Sequence, residues 1–224
     1  MLTIYTDGSS LGNPGNGGWA AIIKDDKNNI IELSGGFKHT TNNRMELYSV
    51  IESLKFAHKN KETTISIFTD SQLICNSINK GWLYKWTKNN WRKSNGTKVL
   101  NIDLWDTLNS LLVGLNVSFI WIAGHNGIEG NERCDMLCKK AAEQATLEDT
   151  VYINTINSQN NIDFSNNNLS NNTTSNSNIK HSTEKKYKYT SKCGNYILYV
   201  NKEKKIANIY NKDNINKILI EFNL

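Results

Sequence analysis

Two aspartates stand out by their context. Asp7 closes the apolar run of "LTIYTDGSS", and Asp70 closes its near copy, "ISIFTDSQL". An aspartate after a strand commonly caps the turn that follows. Two in matching contexts suggest more. If the strands are parallel neighbours, both carboxylates reach one edge of a sheet, where open α/β sheets bind ligands. Two adjacent anions repel, so the pairing makes sense if a cation lies between them or if one carries a proton. Glu46 follows "NNRM" at the border of an apolar stripe, where an acid also suits a helix dipole. Asp135, in "GNERCDMLC", sits beside a face expected to pack inward, and Arg133 and Lys139 are its nearest cations in sequence. Oxygen donors of this kind suit Mg²⁺ or Mn²⁺. Two such ions about 4 Å apart activate a water and stabilise the leaving oxygen of a phosphodiester.

The elements that must position these acids are readable. "LTIYTD" is predicted as a strand ending at Asp7. "GGWAAIIKD" and "NIIELSGGF" flank "DKNN" as a hairpin. Leu47, Val50, Ile51, Leu54 and Ala57 recur at helical spacing. "TTISIFTD" is a strand, and Ser71 is placed to cap a short helix over "SQLICNSIN". "VLNIDLWDTLNSLLV" reads as a helix, "NVSFIWIAG" as a strand and "GNERCDMLCKKAAEQA" as a last helix. The order predicts an α/β fold with a five-stranded mixed sheet flanked by helices.

Residues 1–148 form the first expected domain. Residues 149–184, rich in Asn, Ser and Thr, cannot bury enough apolar surface to offset ordering entropy and are expected to be a disordered linker. Residues 185–224 recover apolar character as a small β-rich extension of two or three strands. Its role is open among a nucleic-acid contact, a partner-binding strand pair and a dispensable tail. The net charge of +5 fits a polyanionic partner. No run of apolar residues is long enough for a membrane span and no secretory leader is visible, so a cytoplasmic monomer is expected. Cys75, Cys134, Cys138 and Cys193 lack zinc-site spacing, with or without His125, and are expected to be reduced, packed thiols.

"YTDGSSLGNPGNGGWA", "TTNNRMEL", "FTDSQL", "WIAGHNGIEGNERCD" and "TLEDT" together closely resemble type 1 ribonuclease H of the bacterial kind, collinearly over residues 1 to about 150. The resemblance implies a ribonuclease H-like fold and an endonuclease that hydrolyses the RNA strand of RNA–DNA hybrids, leaving 5′-phosphate and 3′-hydroxyl ends. It implies that Asp7, Glu46, Asp70 and Asp135 hold two Mg²⁺ ions, with Mn²⁺ as a substitute. It places His125, in "AGHNGIEG", as the group that moves protons or helps product leave, which a residue titrating near neutral pH can do.

The same resemblance implies that Asn13, Asn43 and Gln72 reach into the minor groove of the hybrid. Groups near Ser9, Ser10 and Glu46 would read 2′-hydroxyls. Thr41 and Asn101 would form a pocket for a DNA-strand phosphate, with His39 where a more firmly basic residue is usual. "GWLYKWTKNNWRKSNGTK" carries Lys85, Lys88, Arg92, Lys93 and Lys98 with no acid, and resembles the family's basic protrusion, which grips the DNA strand. Its Trp82 and Trp86, four apart, are expected to pack on the Leu-rich helix rather than stack on bases. Two rival readings remain for the catalytic block: a recombination or transposition nuclease on the same sheet, and a catalytically dead hybrid-binding module.

Overall fold

The computed structural model describes residues 1–167 and four later strands, Lys186–Thr190, Tyr196–Asn201, Ile206–Asn211 and Ile218–Glu221. The chain separates into two compact units, residues 1–170 and 171–224.

In the first unit, β1 (Leu2–Leu11), β2 (Gly15–Lys24) and β3 (Ile30–Thr40) form an antiparallel meander. The hairpin expected at "DKNN" is present: Asp25 accepts hydrogen bonds from the Lys27 and Asn29 amides, and Asn28 takes a φ of 63°. After α1 (Asn42–Lys59), β4 (Thr64–Thr69) pairs parallel with β1. The short helices α2 (Gln72–Asn79) and α3 (Trp82–Lys88) lead to α4 (Ile102–Leu111). Strand β5 (Asn116–Trp121) pairs parallel with β4, and α5 (Glu129–Glu143) follows. A two-residue strand, β6 (Leu147–Glu148), pairs parallel with β3. The sheet order is β5-β4-β1-β2-β3-β6. It has six strands rather than the five expected, because a stretch as short as β6 carries no period of its own.

Strand alternation divides the packing between the faces of the sheet. Ile4, Ile67 and Ala21 join Leu47, Val50, Ile51 and Leu54 of α1 and Leu104, Trp105 and Leu108 of α4. Tyr5, Ala20 and Ile22 meet Cys134 and Cys138 of α5 on the other face. Trp86 is buried, with its ring edge-on to Trp105 at 5.4 Å, so packing against α4 is its role.

Beyond β6, Asp149 is buried and Thr150–Asn167 form the helix α6, where composition suggested a linker from residue 149. A local anchor starts the helix: Asp149 accepts a hydrogen bond from the Tyr152 amide. The rest of that stretch, 168–184, lies outside the described residues. The second unit holds four strands rather than two or three, β7 (Lys186–Thr190) to β10 (Ile218–Glu221), in a sheet ordered β10-β9-β8-β7. Among the described residues no helix is long and apolar enough to cross a membrane.

Candidate active site

β1 does not stop at Asp7. It runs on to Leu11, because β2 pairs with it as far as Leu11↔Asn16. What stops is its other neighbour: the parallel register with β4 ends at Thr6↔Thr69, so Asp7 and Asp70 are the next residues on adjacent strands. The echoed sequences therefore become adjacent carboxylates.

Two helices supply the other acids, and glycines let them approach. Alternation puts Asp7 and Gly8 on opposite faces of the sheet. A Cβ at Gly8 would overlap the backbone of Met45 and Glu46, so its absence lets α1 seat Glu46 against β1. On the other face, a Cβ at Gly18 would overlap the Cys138 carbonyl and the Ala142 amide of α5, the helix that carries Asp135. Gly18→Ala is expected to cost about 1–3 kcal/mol through overpacking. It is also expected to lower hybrid cleavage by displacing Asp135; urea melts with a cleavage assay check both, and full activity in a destabilised chain would uncouple the glycine from the site.

Asp7 is nine-tenths buried. It accepts hydrogen bonds from the Gly8 amide at 2.7 Å and from the Cys138 thiol at 3.7 Å. Burial, then the charges of Asp70 and Asp135, push its carboxyl up to about 7. Glu46 accepts from Asn42 Nδ2 at 3.0 Å and from Ser71 Oγ at 2.5 Å, which fixes its carboxylate. Burial raises its pKa, with Asp70 adding to the rise and the Ser71 and Asn42 donors opposing it. Ser71 also caps α2, as expected, accepting from the Ile74 amide at 3.4 Å. Asp135 pairs with Lys139 at 2.7 Å, while Arg133 turns to Glu32 on β3.

This donor set fits a hard divalent cation. Ligand atoms of Asp7, Asp135 and Cys138 lie within 4.8 Å of one another. The Cys138 thiol is buried and held neutral, its pKa raised above the ordinary value by burial, then by Asp7 and Asp135. It donates to Asp7 rather than offering a thiolate, which leaves carboxylate oxygens as the ligands. The expectation of packed thiols holds for Cys75, Cys134 and Cys138, which are free and buried; Cys193 lies outside the described residues.

His125 is exposed, on the turn between β5 and α5, with a φ of 53°. Its neighbour Gly124 fixes that turn against the acids: a Cβ there would fall 2.7 Å from Asp70 Oδ2. Thr41, Asn13, Asn43 and Asn101 all line one cavity of about 460 Å³. Asn13 lies in the turn after β1, and its Oδ1 accepts from the Asn42 amide at 3.3 Å. Asn101 takes a left-handed conformation before α4, with φ 56°. His39 is exposed and is not part of that lining. Gln72 is exposed at the start of α2, just past Asp70 and Ser71. A second groove of about 640 Å³ is lined by Asn43, Asn101, Trp82, Trp86 and the basic Lys85, Arg92 and Lys93. Lys88 is exposed elsewhere on α3, its Nζ 5.7 Å from the Tyr84 ring centroid.

Sequence reasoning missed the hub beneath these pockets. Arg44 is fully buried and forms two-pronged pairs with Asp149 (2.6 and 2.9 Å) and Asp103 (3.0 and 2.7 Å). It also donates to Asn101 Oδ1 at 3.4 Å. Asp149 accepts in addition from Thr40 Oγ1 at 2.7 Å. A cation in the middle of "NNRMEL" is the only local signal. Its partners stand 59 and 105 residues away, beyond any periodicity.

A family model described as RNase H matches residues 1–143. Ribonuclease H of Nitratidesulfovibrio vulgaris is 46% identical over 146 residues, covering 65% of this chain and 92% of that protein. Ribonuclease HI of Haemophilus influenzae is 45% identical over 153 residues, 68% of this chain and 97% of that protein. Among solved structures, LC9-RNase H1, a type 1 RNase H with the type 2 active-site motif, is similar with a TM-score of 0.58 at 29% identity, over 65% of this chain and 73% of that one. LC11-RNase H1, in complex with RNA/DNA hybrid, shares the fold at a TM-score of 0.50 and 23% identity, over 64% of this chain and 98% of that one.

Proposed function

This chain belongs to the ribonuclease H family, and on that premise we propose that it cleaves the RNA strand of RNA–DNA hybrids by two-metal-ion hydrolysis, leaving 5′-phosphate and 3′-hydroxyl ends. The observation that carries this reading is the meeting of Asp7 with Asp70 where the β1/β4 register ends, together with the Glu46 and Asp135 helices seated over Gly8 and Gly18. Asp7, Glu46, Asp70 and Asp135 would hold two Mg²⁺ ions, or Mn²⁺ in their place. Bound there, the ions supply water activation and charge neutralisation at the scissile phosphate.

The chain's own residues position the substrate. Asn13, Asn43 and Gln72 offer amides that both donate to and accept from base edges in the minor groove. Ser9 and Ser10, half-buried at the end of β1 beyond Asp7, stand where 2′-hydroxyls are read. Thr41 and Asn101 share one cavity, which supports a pocket for a DNA phosphate. Arg44 occupies Asn101 Oδ1 and leaves its NH₂ to donate to that phosphate. Lys85, Arg92 and Lys93 line the basic groove and would neutralise the DNA strand further along, with Lys88 on the same helix as Lys85. His125, exposed beside the Gly124–Asp70 approach, would carry a proton between the site and solvent. The chain would act as a cytoplasmic monomer.

A labelled hybrid with Mg²⁺ tests this. RNA cut only where it pairs with DNA is expected. Equal cutting of duplex DNA would favour the recombination or transposition reading. Binding without cutting in Mg²⁺ or Mn²⁺ would favour the inert module. Lys139 gives a finer test, since its ammonium competes with a cation for Asp135. Lys139→Gln is expected to lower the half-saturating Mg²⁺ concentration about two- to fivefold, the range of an exposed ion pair worth under about 1 kcal/mol. An unchanged Mg²⁺ titration would rule that competition out.

A further inference from the structure

The cavity shared by Thr41 and Asn101 has a buried cation that is not available to a ligand. A guanidinium carries five N–H donors, and Arg44 has all of them committed. Nε and one Nη2 proton go to Asp149. The other Nη2 proton and one Nη1 proton go to Asp103, and the last goes to Asn101 Oδ1. With +1 from Arg44 and −1 each from Asp103 and Asp149, the hub carries a net charge of −1. Left alone it repels a phosphate.

The positive charge must come from another side chain. His39, which the family resemblance sets at this pocket, does not line it. Helix α6 forms one wall through Val151, Tyr152, Thr155 and Ile156 and contains no cation. Among the described residues, Lys98 is the one remaining cation of the lining, and it is exposed. Its backbone is pinned. Arg92 and Lys98 form an antiparallel bridge, and the Lys93 amide donates to the Thr97 carbonyl at 2.8 Å. The next residue, Val99, is buried, and its amide donates to the Trp91 carbonyl at 2.9 Å. This short ladder divides its charges. Arg92 and Lys93 line the neighbouring groove, whereas Lys98 lines the pocket of Thr41 and Asn101.

We propose that Lys98 is the phosphate-binding cation of the Thr41–Asn101 pocket. It rests on the reading of that cavity as a pocket for a phosphate of the DNA strand, and names the charge that holds the ligand there. An ammonium on a flexible four-carbon stem suits an exposed rim, where it meets a phosphate as a point charge. Arg44 then acts as a positioning residue for Asn101, and Lys98 meets the ligand.

The test reads binding of a labelled RNA–DNA hybrid by fluorescence anisotropy, with the full chain in EDTA so that nothing is cut. Lys98→Gln is expected to bind about fivefold more weakly at about 0.1 M salt, with a salt slope shallower by about 0.7–0.9. Lys98→Arg is expected to bind as the parent does. So is Lys27→Gln, which removes the same charge from the β2–β3 hairpin. Hybrids with a single DNA phosphate replaced by an uncharged methylphosphonate locate the contact. At one position the parent is expected to lose affinity and the Lys98→Gln chain to lose no more. Thr41→Val is expected to blunt the loss at that same position; Thr41 makes no side-chain cap bond to α1, so the exchange keeps the helix start. Unaltered binding by Lys98→Gln, or an equal loss in Lys98→Arg or Lys27→Gln, would overturn the proposal. A Lys98→Gln chain that keeps every loss of the parent across the methylphosphonate series would overturn it too. So would a silenced position different from that of Thr41→Val, which would assign Lys98 to the neighbouring groove. A parent chain that shows the expected binding profile but cuts no hybrid in Mg²⁺ would instead count against the catalytic reading alone.

Discussion

Asp7→Asn is expected to lower hybrid cleavage at least about a thousandfold while leaving the fold intact. Asp7 is the most deeply placed of the four acids, and the charges of both Asp70 and Asp135 bear on it. Asparagine keeps the shape and the acceptor for the Gly8 amide but loses the charge a cation requires. The same substitution separates a functional carboxylate from a turn cap through its pH dependence. In the folded, metal-free chain Asp7 holds its proton up to about 7, against an ordinary value of 3.8. Between those values the folded state binds more protons than the unfolded state. Stability from this group is therefore fully present below about pH 4 and is lost as the pH rises to about 7. In EDTA, Asp7→Asn should accordingly stabilise the chain by up to about 4 kcal/mol at pH 8 and by almost nothing at pH 4. Urea melts at the two pH values read this directly. A large loss of stability, with cleavage retained, would return Asp7 to a capping role.

The second large effect is expected at Arg44, and it concerns stability. Arg44→Met removes the guanidinium from Asp149, which is 2% exposed, and from Asp103. Breaking a buried pair from one side costs about 3–5 kcal/mol, because the partner charge remains without compensation. Thr40 and the Tyr152 amide still donate to Asp149 but carry no positive charge. Arg44→Met combined with Asp149→Leu should recover much of that loss, since an apolar pair of similar volume replaces a buried ion pair at little cost. A single variant that loses under about 1 kcal/mol would show that water reaches the pair. The hub also holds Asn101, so the Arg44→Met chain should bind the hybrid more weakly even where it is folded.

Much of the site was legible because its signals are local. The repeated "TD" contexts singled out Asp7 and Asp70, and the structure makes them neighbours by register. The stripe of Leu47, Val50, Ile51 and Leu54 gave α1 and the side it packs on. Ser71 read as a helix cap and is one, but its hydroxyl also holds Glu46, a contact across 25 residues that no spacing rule contains. The sequence places no cation obviously against Asp135 and leaves Lys139 and Arg133 both open. The helix turn decides between them, since Lys139 stands one turn after Asp135 and Arg133 faces β3.

By itself the sequence determined the order of the main elements, β1 to β5 with α1, α2, α4 and α5, together with the positions of the four acids, the one-sign stretch before α4 and the concentration of lysines after residue 170. These depend on residue type and short spacing, which a linear chain states outright. Only the tertiary structure decided that β1 continues past Asp7, that Glu46 and Asp135 arrive from opposite faces, and that Arg44 binds together Asp103, Asp149 and Asn101. The physical reason is common to all three. Strand pairing and the seating of a helix over a glycine join residues far apart in the chain, and their energies depend on which backbones come together rather than on any segment alone.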